Sequence, residues 1–317
     1  MPVPAGDKLM GAPIQKVLHG AAVLGFSAGM AMAQDGGAAS LTTGVSYSSL
    51  NGGLAFIGVQ ADDLLGTGID LSLDYQAGDD GEALNGFIAK SYGLGDTALG
   101  FDTFVRVGLG AQTANFDSRD FSIEHFSANV TMWATAANGL TYDAQLFWQS
   151  DTLADFDPSV SPLVANDTDG STATGVSIGL GYSTFTDRGP LALGFDMGGT
   201  LTYATSLGDR EWMAAEVGTR YNTALPYGLV LAMRADAGRI EGRGDSIVNI
   251  VDRAFIGSDA PRGFTDTGIG PRDFVDGSVN TALGGKTYWT ASLEVHANRK
   301  SCRFVWRFCR CGVFVGS

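Results

Sequence analysis

Leu140-Thr141-Tyr142-Asp143-Ala144-Gln145-Leu146-Phe147-Trp148-Gln149 places Leu140, Tyr142, Ala144, Leu146 and Trp148 on one parity and Thr141, Asp143, Gln145 and Gln149 on the other. A period of two is the side-chain period of a β-strand, so one face of this strand is apolar and the other polar. The pattern recurs on both sides. Val176, Ile178, Leu180 and Tyr182 oppose Ser177, Gly179, Gly181 and Ser183, and Ile69, Leu71, Leu73 and Tyr75 oppose Asp70, Ser72, Asp74 and Gln76. Val105, Val107 and Leu109 alternate with Asp102, Phe104 and Arg106. Leu229, Leu231, Met233 and Ala235 face away from Arg234 and Asp236, as Trp289, Ala291, Leu293 and Val295 do from Tyr288, Thr290, Ser292 and Glu294.

Length separates the two folds that alternate in this way. The segments run about nine to fourteen residues, longer than the strands of a soluble sandwich and enough to cross a bilayer at a tilt. About twelve such strands are expected, at 41–49, 53–62, 68–77, 83–92, 97–112, 121–136, 139–150, 173–185, 191–206, 210–223, 228–239 and 286–295. The fold class is therefore all-β, a transmembrane antiparallel β-barrel with lipid outside and small polar residues inside. Closure is required because an open edge in hydrocarbon leaves backbone groups unpaired. Short turns such as Asn51-Gly52-Gly53 and Ala224–Gly228 alternate with longer connections, among them a solvated loop at 151–172. Tyr142, Trp148, Tyr182, Trp212, Tyr221 and Trp289 are candidates for an interfacial aromatic girdle.

Composition supports many strands and turns and narrows the functions. The chain has 317 residues, 45 of them glycine, and a formal net charge of −14. Phosphate binding needs clustered Lys and Arg, so nucleic acid is excluded as a partner. Cys302, Cys309 and Cys311 form no disulfide framework, and Cys309-Arg310-Cys311 lacks the paired spacing and histidines of a zinc site, so no metal and no cofactor is expected. His19, His125 and His296 have no Ser or Asp at a spacing that marks a catalytic triad, and acidic pairs such as Asp62-Asp63 read as turn residues. The chain reads as a non-enzyme.

Lys8 and Lys16, the apolar run Val17–Met30 and Ala31-Met32-Ala33 have the three parts of a secretory signal peptide, with residues 1–33 removed after Ala33. The barrel then occupies 34–295. Residues 296–317 form an aberrant tail that carries every cysteine and five of the twenty Lys and Arg residues. Cations on a lipid face are unfavourable, which makes a shifted reading frame after about Val295 one expectation and a basic tail the other.

The longest break in the strand pattern is Asp252-Arg-Ala-Phe-Ile-Gly-Ser-Asp-Ala-Pro-Arg262-Gly263-Phe264-Thr-Asp-Thr-Gly-Ile-Gly-Pro271-Arg-Asp273. Compact domains seldom carry such a loop without a use for it. The Arg262-Gly263-Phe264 core, Gly268-Ile-Gly-Pro271-Arg-Asp273 after it, the Leu283-Gly-Gly285 entry and the Ala291-Ser-Leu-Glu294 strand resemble the BamA/TamA superfamily of outer-membrane insertases, of bacterial surface antigen type. Weaker similarity at Leu64–Gly68 and Phe101–Phe104 extends the resemblance over roughly 41–295. It implies a barrel of about sixteen strands, of which about twelve are present. It further implies that loop 252–285 folds into the lumen and that Arg262 pairs with an acidic wall residue. Glu294, on the polar face of its strand, is the expected partner. An Arg–carboxylate pair away from bulk water can be bidentate and geometrically specific.

The resemblance also implies a function without covalent chemistry, in outer-membrane protein assembly or translocation. The expected partners are the lipid bilayer of the outer membrane, unfolded outer-membrane proteins and subunits of an assembly machinery. Only about seven residues separate the expected cleavage site from the first strand, too few for the periplasmic POTRA domains that insertases of the family carry. The alternative is a passive or structural outer-membrane barrel, a channel without insertase activity.

Overall fold

Residues of alternating polarity become a wall when each strand finds a partner on both sides. A computed structural model of the chain describes residues 26–34, 37–48, 52–78, 81–96, 102–117, 121–136, 139–154, 161–165, 170–185, 192–244, 246–256, 269–275, 278–297 and 305–314. The strands are β1 (Phe26–Gln34), β2 (Gly37–Ser48), β3 (Gly52–Asp62), β4 (Ile69–Gly78), β5 (Gly81–Asp96), β6 (Asp102–Asp117), β7 (Ser122–Ala136), β8 (Leu140–Ala154), β9 (Ser171–Ser183), β10 (Gly194–Thr205), β11 (Trp212–Leu225), β12 (Leu229–Gly242), β13 (Arg272–Val275), β14 (Ser278–Ala282), β15 (Thr287–Ala297) and β16 (Val305–Phe314). One helical turn, α1 (Pro162–Ala165), lies between β8 and β9.

Fourteen strands form a single antiparallel sheet in chain order, with β15 following β12 directly; β13 and β14 make a separate hairpin inside the long β12–β15 connection. The twelve strands expected from alternation are β2 to β12 and β15. The two further strands of the sheet are β1, which lies mostly within the expected signal peptide, and β16, which lies within the expected tail. Among the described residues, no pairing joins β1 to β16.

Register fixes which way each face points. In β8 and β9, Asp143 lies across from Gly179, Gln145 from Ser177 and Phe147 from Gly175, while Leu146 lies across from Val176 and Ala144 from Ile178. Ile178 is 62% exposed and Leu146 59%, against 7% for Ser177. The apolar set is thus the outer one. Val59, Leu73, Ile88, Val130, Met132, Leu180, Leu201 and Val217 extend this exposed apolar belt around the sheet, the arrangement a bilayer stabilises and water does not. Tyr142, Trp148, Tyr182 and Tyr221 belong to it, but Trp212 does not. It shares parity with Ala214 and Glu216, points inward and is 7% exposed.

The lumenal face is lined economically. Several of its larger side chains lie flat over the glycine directly opposite: Asp143 over Gly179, Phe147 over Gly175, Asp236 over Gly218 and Tyr288 over Gly238. A Cβ on Gly238 would fall 2.3 Å from Tyr288 Cε1. The glycine richness of the chain is used here to let neighbouring side chains fold down, which in turn carries Tyr288 Oη to Glu216 Oε1, where it donates at 2.8 Å.

Connections differ at the two ends. The turn at 137–139, the short turn Pro226–Gly228 and the segment 63–68 close one end, and the long connections 155–170 and 243–286 lie at the other. The second end is where the core sits.

Candidate functional site, a plug on the lumenal wall

The β12–β15 connection turns back over the inner face of the sheet. Val248 packs into a buried cluster with Ala173, Ala204, Trp212 and Ile240, against which Phe147 and Ala214 also rest; the Phe147 and Trp212 rings stack at 6.3 Å. Two residues on, Ile250, 1% exposed, joins Phe121, Leu153 and Val164, with Val251, Phe255 and Leu283 packed around them. Full burial of such side chains contributes about 1.5–3 kcal/mol each, so the root of this loop belongs to the core.

Polar contacts give the loop its shape. Asn249 caps the helical turn Ile250–Asp252 by accepting from Val251 N at 3.1 Å. Arg253 clamps the two limbs together, with Nε and Nη2 donating to Val248 O at 3.1 and 3.0 Å and Nη1 to Leu283 O at 3.1 Å. Ala254 and Gly285 exchange backbone hydrogen bonds of 2.9 and 2.8 Å, and Ile269 N donates to Ile256 O at 3.0 Å. Gly284, in the Leu283-Gly-Gly285 entry, has φ +65° and lies so close beneath Arg253 and Phe255 that a Cβ would meet them at 2.8 and 3.0 Å. Both its conformation and its space require glycine.

Among its described residues, the 151–172 segment departs from the solvated loop expected there. β8 runs on to Ala154, and Ser161 is fully buried: its N donates to Thr281 Oγ1 at 3.0 Å, and its Oγ donates to Asp273 Oδ2 at 2.5 Å. Val164 is 1% exposed. This connection and the plug loop cover each other.

Beneath them lies a buried ionic network. His125 on β7 and Asp151 on β8 are register partners, with Nδ1 and Oδ1 2.6 Å apart. Arg210, just before β11, donates from Nη2 to Asp151 Oδ2 and lies with Nη1 3.2 Å from Asp252 Oδ1. All four side chains are at least 95% buried. The segment carrying Arg210 is itself fastened to β9: Asp209 Oδ2 accepts from Thr172 N at 2.8 Å and from Thr172 Oγ1 at 2.7 Å. These two hydrogen bonds hold the Asp209 carboxyl below its usual pKa.

Of the residues singled out in the sequence, Arg262, Gly263 and Phe264 lie outside the described residues. Glu294 is on the lumenal face of β15, as its parity requires, across from Ala232 on β12; its Oε2 lies 2.9 Å from His296 Nε2. Arg210 and Asp151 carry no motif because each is one charge in an otherwise ordinary local pattern, 59 positions apart, and His125, weighed in the sequence only as a triad residue, meets Asp151 across 26 positions.

This geometry defines a class: a transmembrane β-barrel whose inner face is covered by a long returning loop. A profile of the Omp85 superfamily domain matches residues 63–305. The chain belongs to the Omp85 superfamily. BamA from Haemophilus ducreyi lacking POTRA domains 1–3 has the same fold, with a TM-score of 0.73 at 16% identity over 87% of this chain and 58% of that one. CdiB from Acinetobacter baumannii aligns with a TM-score of 0.42 at 11% identity, over 92% of this chain and 56% of that one. The chain thus spans somewhat over half the length of each. A search of curated proteins found no match.

Proposed function

We propose that this chain is an outer-membrane barrel of the insertase and translocase type, exported by a signal peptide cleaved after Ala33 and acting without covalent chemistry on outer-membrane proteins. The observation that carries the reading is the lumenal face covered by the returning β12–β15 connection, and the expected means of action is a weakly paired strand edge or seam. A strand edge offers a row of backbone donors and acceptors to an incoming strand, which is the chemistry of strand addition. A passive channel needs the opposite arrangement, an open lumen and no available edge. In this reading Arg262 reaches the lumenal wall at Glu294, and the BamA likeness supports the fold on which that reach depends.

The test is reconstitution. Vesicles carrying the full protein should accelerate the folding of a urea-unfolded small outer-membrane barrel over empty vesicles, read as the appearance of heat-modifiable migration. Vesicles that leave the folding rate unchanged while passing small ions freely would establish the channel instead.

A further inference from the structure

We propose that the β10–β11 connection is a strap that locks the lumenal loop in place through Arg210, so that displacing the strap unplugs the barrel. The argument rests on the covered lumen and on burial, and it does not need the insertase role. Arg210 holds one carboxylate on the wall, Asp151 of β8, and one at the root of the loop, Asp252. Two carboxylates share one guanidinium in a site closed to water. Removing the arginine turns the bridge into a like-charge contact, and a buried charge stripped of its partner is strongly unfavourable.

The same six-residue connection is clasped from outside. Asp209 grips Thr172 through two side-chain bonds, and the backbone nitrogens of Asp209 and Arg210 donate to Thr172 O at 2.9 and 3.1 Å. Asp209 is exposed while Arg210 beside it is buried, so one short segment joins the outer end of the barrel to the interior lock. Nothing in lipid packing calls for such an arrangement: the exposed pair Arg239–Glu241 on the outer face shows what an ion pair without this duty looks like. A force on the connection at this end is transmitted by two covalently adjacent residues to the root of the plug.

The experiment uses the full protein in planar bilayers and in vesicles, with trypsin cleavage at Arg253, Arg262 and Arg272 followed by mass spectrometry. Arg210→Met and Asp252→Asn should remain heat-modifiable, and Asp209→Ala should loosen the strap without touching the buried network. Arg210→Met should be cut in the loop about tenfold faster or more than the native chain, as loss of a buried charged bond implies, and should conduct more. Asp252→Asn and Asp209→Ala should follow in the same direction with smaller effects, and Arg239→Met should match the native protein. Folded Arg210→Met with native cleavage and conductance would overturn the proposal. So would loss of the folded barrel in both Arg210→Met and Asp252→Asn, because the network would then be holding the wall and not the plug.

Discussion

The β8–β9 wall and the root of the plug use different physics, although Asp151 belongs to both. The wall is local and repetitive. Every second residue faces lipid, each strand binds its neighbour through a regular ladder, and one substitution matters according to parity and depth. The plug root is non-local: Ser161 meets Asp273 across 112 residues and Thr281 across 120, and Arg210 meets Asp151 across 59. The first design stabilises a surface against lipid; the second fixes a single position for a loop whose own hairpin, β13–β14, does not join the wall.

Substitutions can separate the two. The largest effect is expected on the wall: Leu146→Arg puts a cation at mid-strand on the lipid face and should destabilise the barrel by roughly 2–4 kcal/mol, whereas Gln145→Arg, one residue away on the lumenal face, should cost far less. Urea unfolding in vesicles measures both, and equal losses would contradict the assigned faces. Gly238→Val comes next, since its branch would collide with the Tyr288 ring and break the bond to Glu216; overpacking of this kind costs about 1–3 kcal/mol. Adding Tyr288→Ala should recover part of the loss, and no recovery would mean that the ring does not lie over Gly238.

At the plug, Ser161→Ala removes the bond to Asp273 and the acceptor for Leu163 N. It should cost about 1 kcal/mol and speed trypsin cleavage of the loop while leaving barrel migration intact. The smallest effect concerns pH. The Asp209 carboxyl has a lowered pKa in the folded state, so its contribution is complete above the pKa of the unfolded chain and is lost as pH falls through the folded value. As pH falls below the ordinary carboxylate range the clasp on Thr172 should weaken, and Asp209→Asn should flatten the acid dependence of loop cleavage. A native acid profile in that variant would remove Asp209 from the account.

What could be read from the sequence divides along the same line. Twelve strands and their inward and outward faces followed from a period of two, because lipid on one side and a polar lumen on the other force the alternation residue by residue. Trp212 misled as a girdle candidate because aromatic character near a strand end was weighed above parity; Glu216, four positions on, places it inside. The β13–β14 hairpin was missed because four or five residues among glycines and charges carry too short a pattern to register. Ser161 and Val164 looked like loop residues because their partners lie over a hundred positions away. Arg210 gave no local signal at all, and only the fold brings it between Asp151 and Asp252.

The central claim is a wall with lipid on one parity and a lumen on the other. Spin labels placed singly at positions 141 to 149 of the full protein in vesicles, with Cys302, Cys309 and Cys311 replaced by serine, test it directly. Collisional broadening by oxygen should peak at 142, 144, 146 and 148 and broadening by a water-soluble nickel chelate at 141, 143, 145 and 149, in strict alternation. A smooth profile without alternation, or one with the parities reversed, would contradict the account.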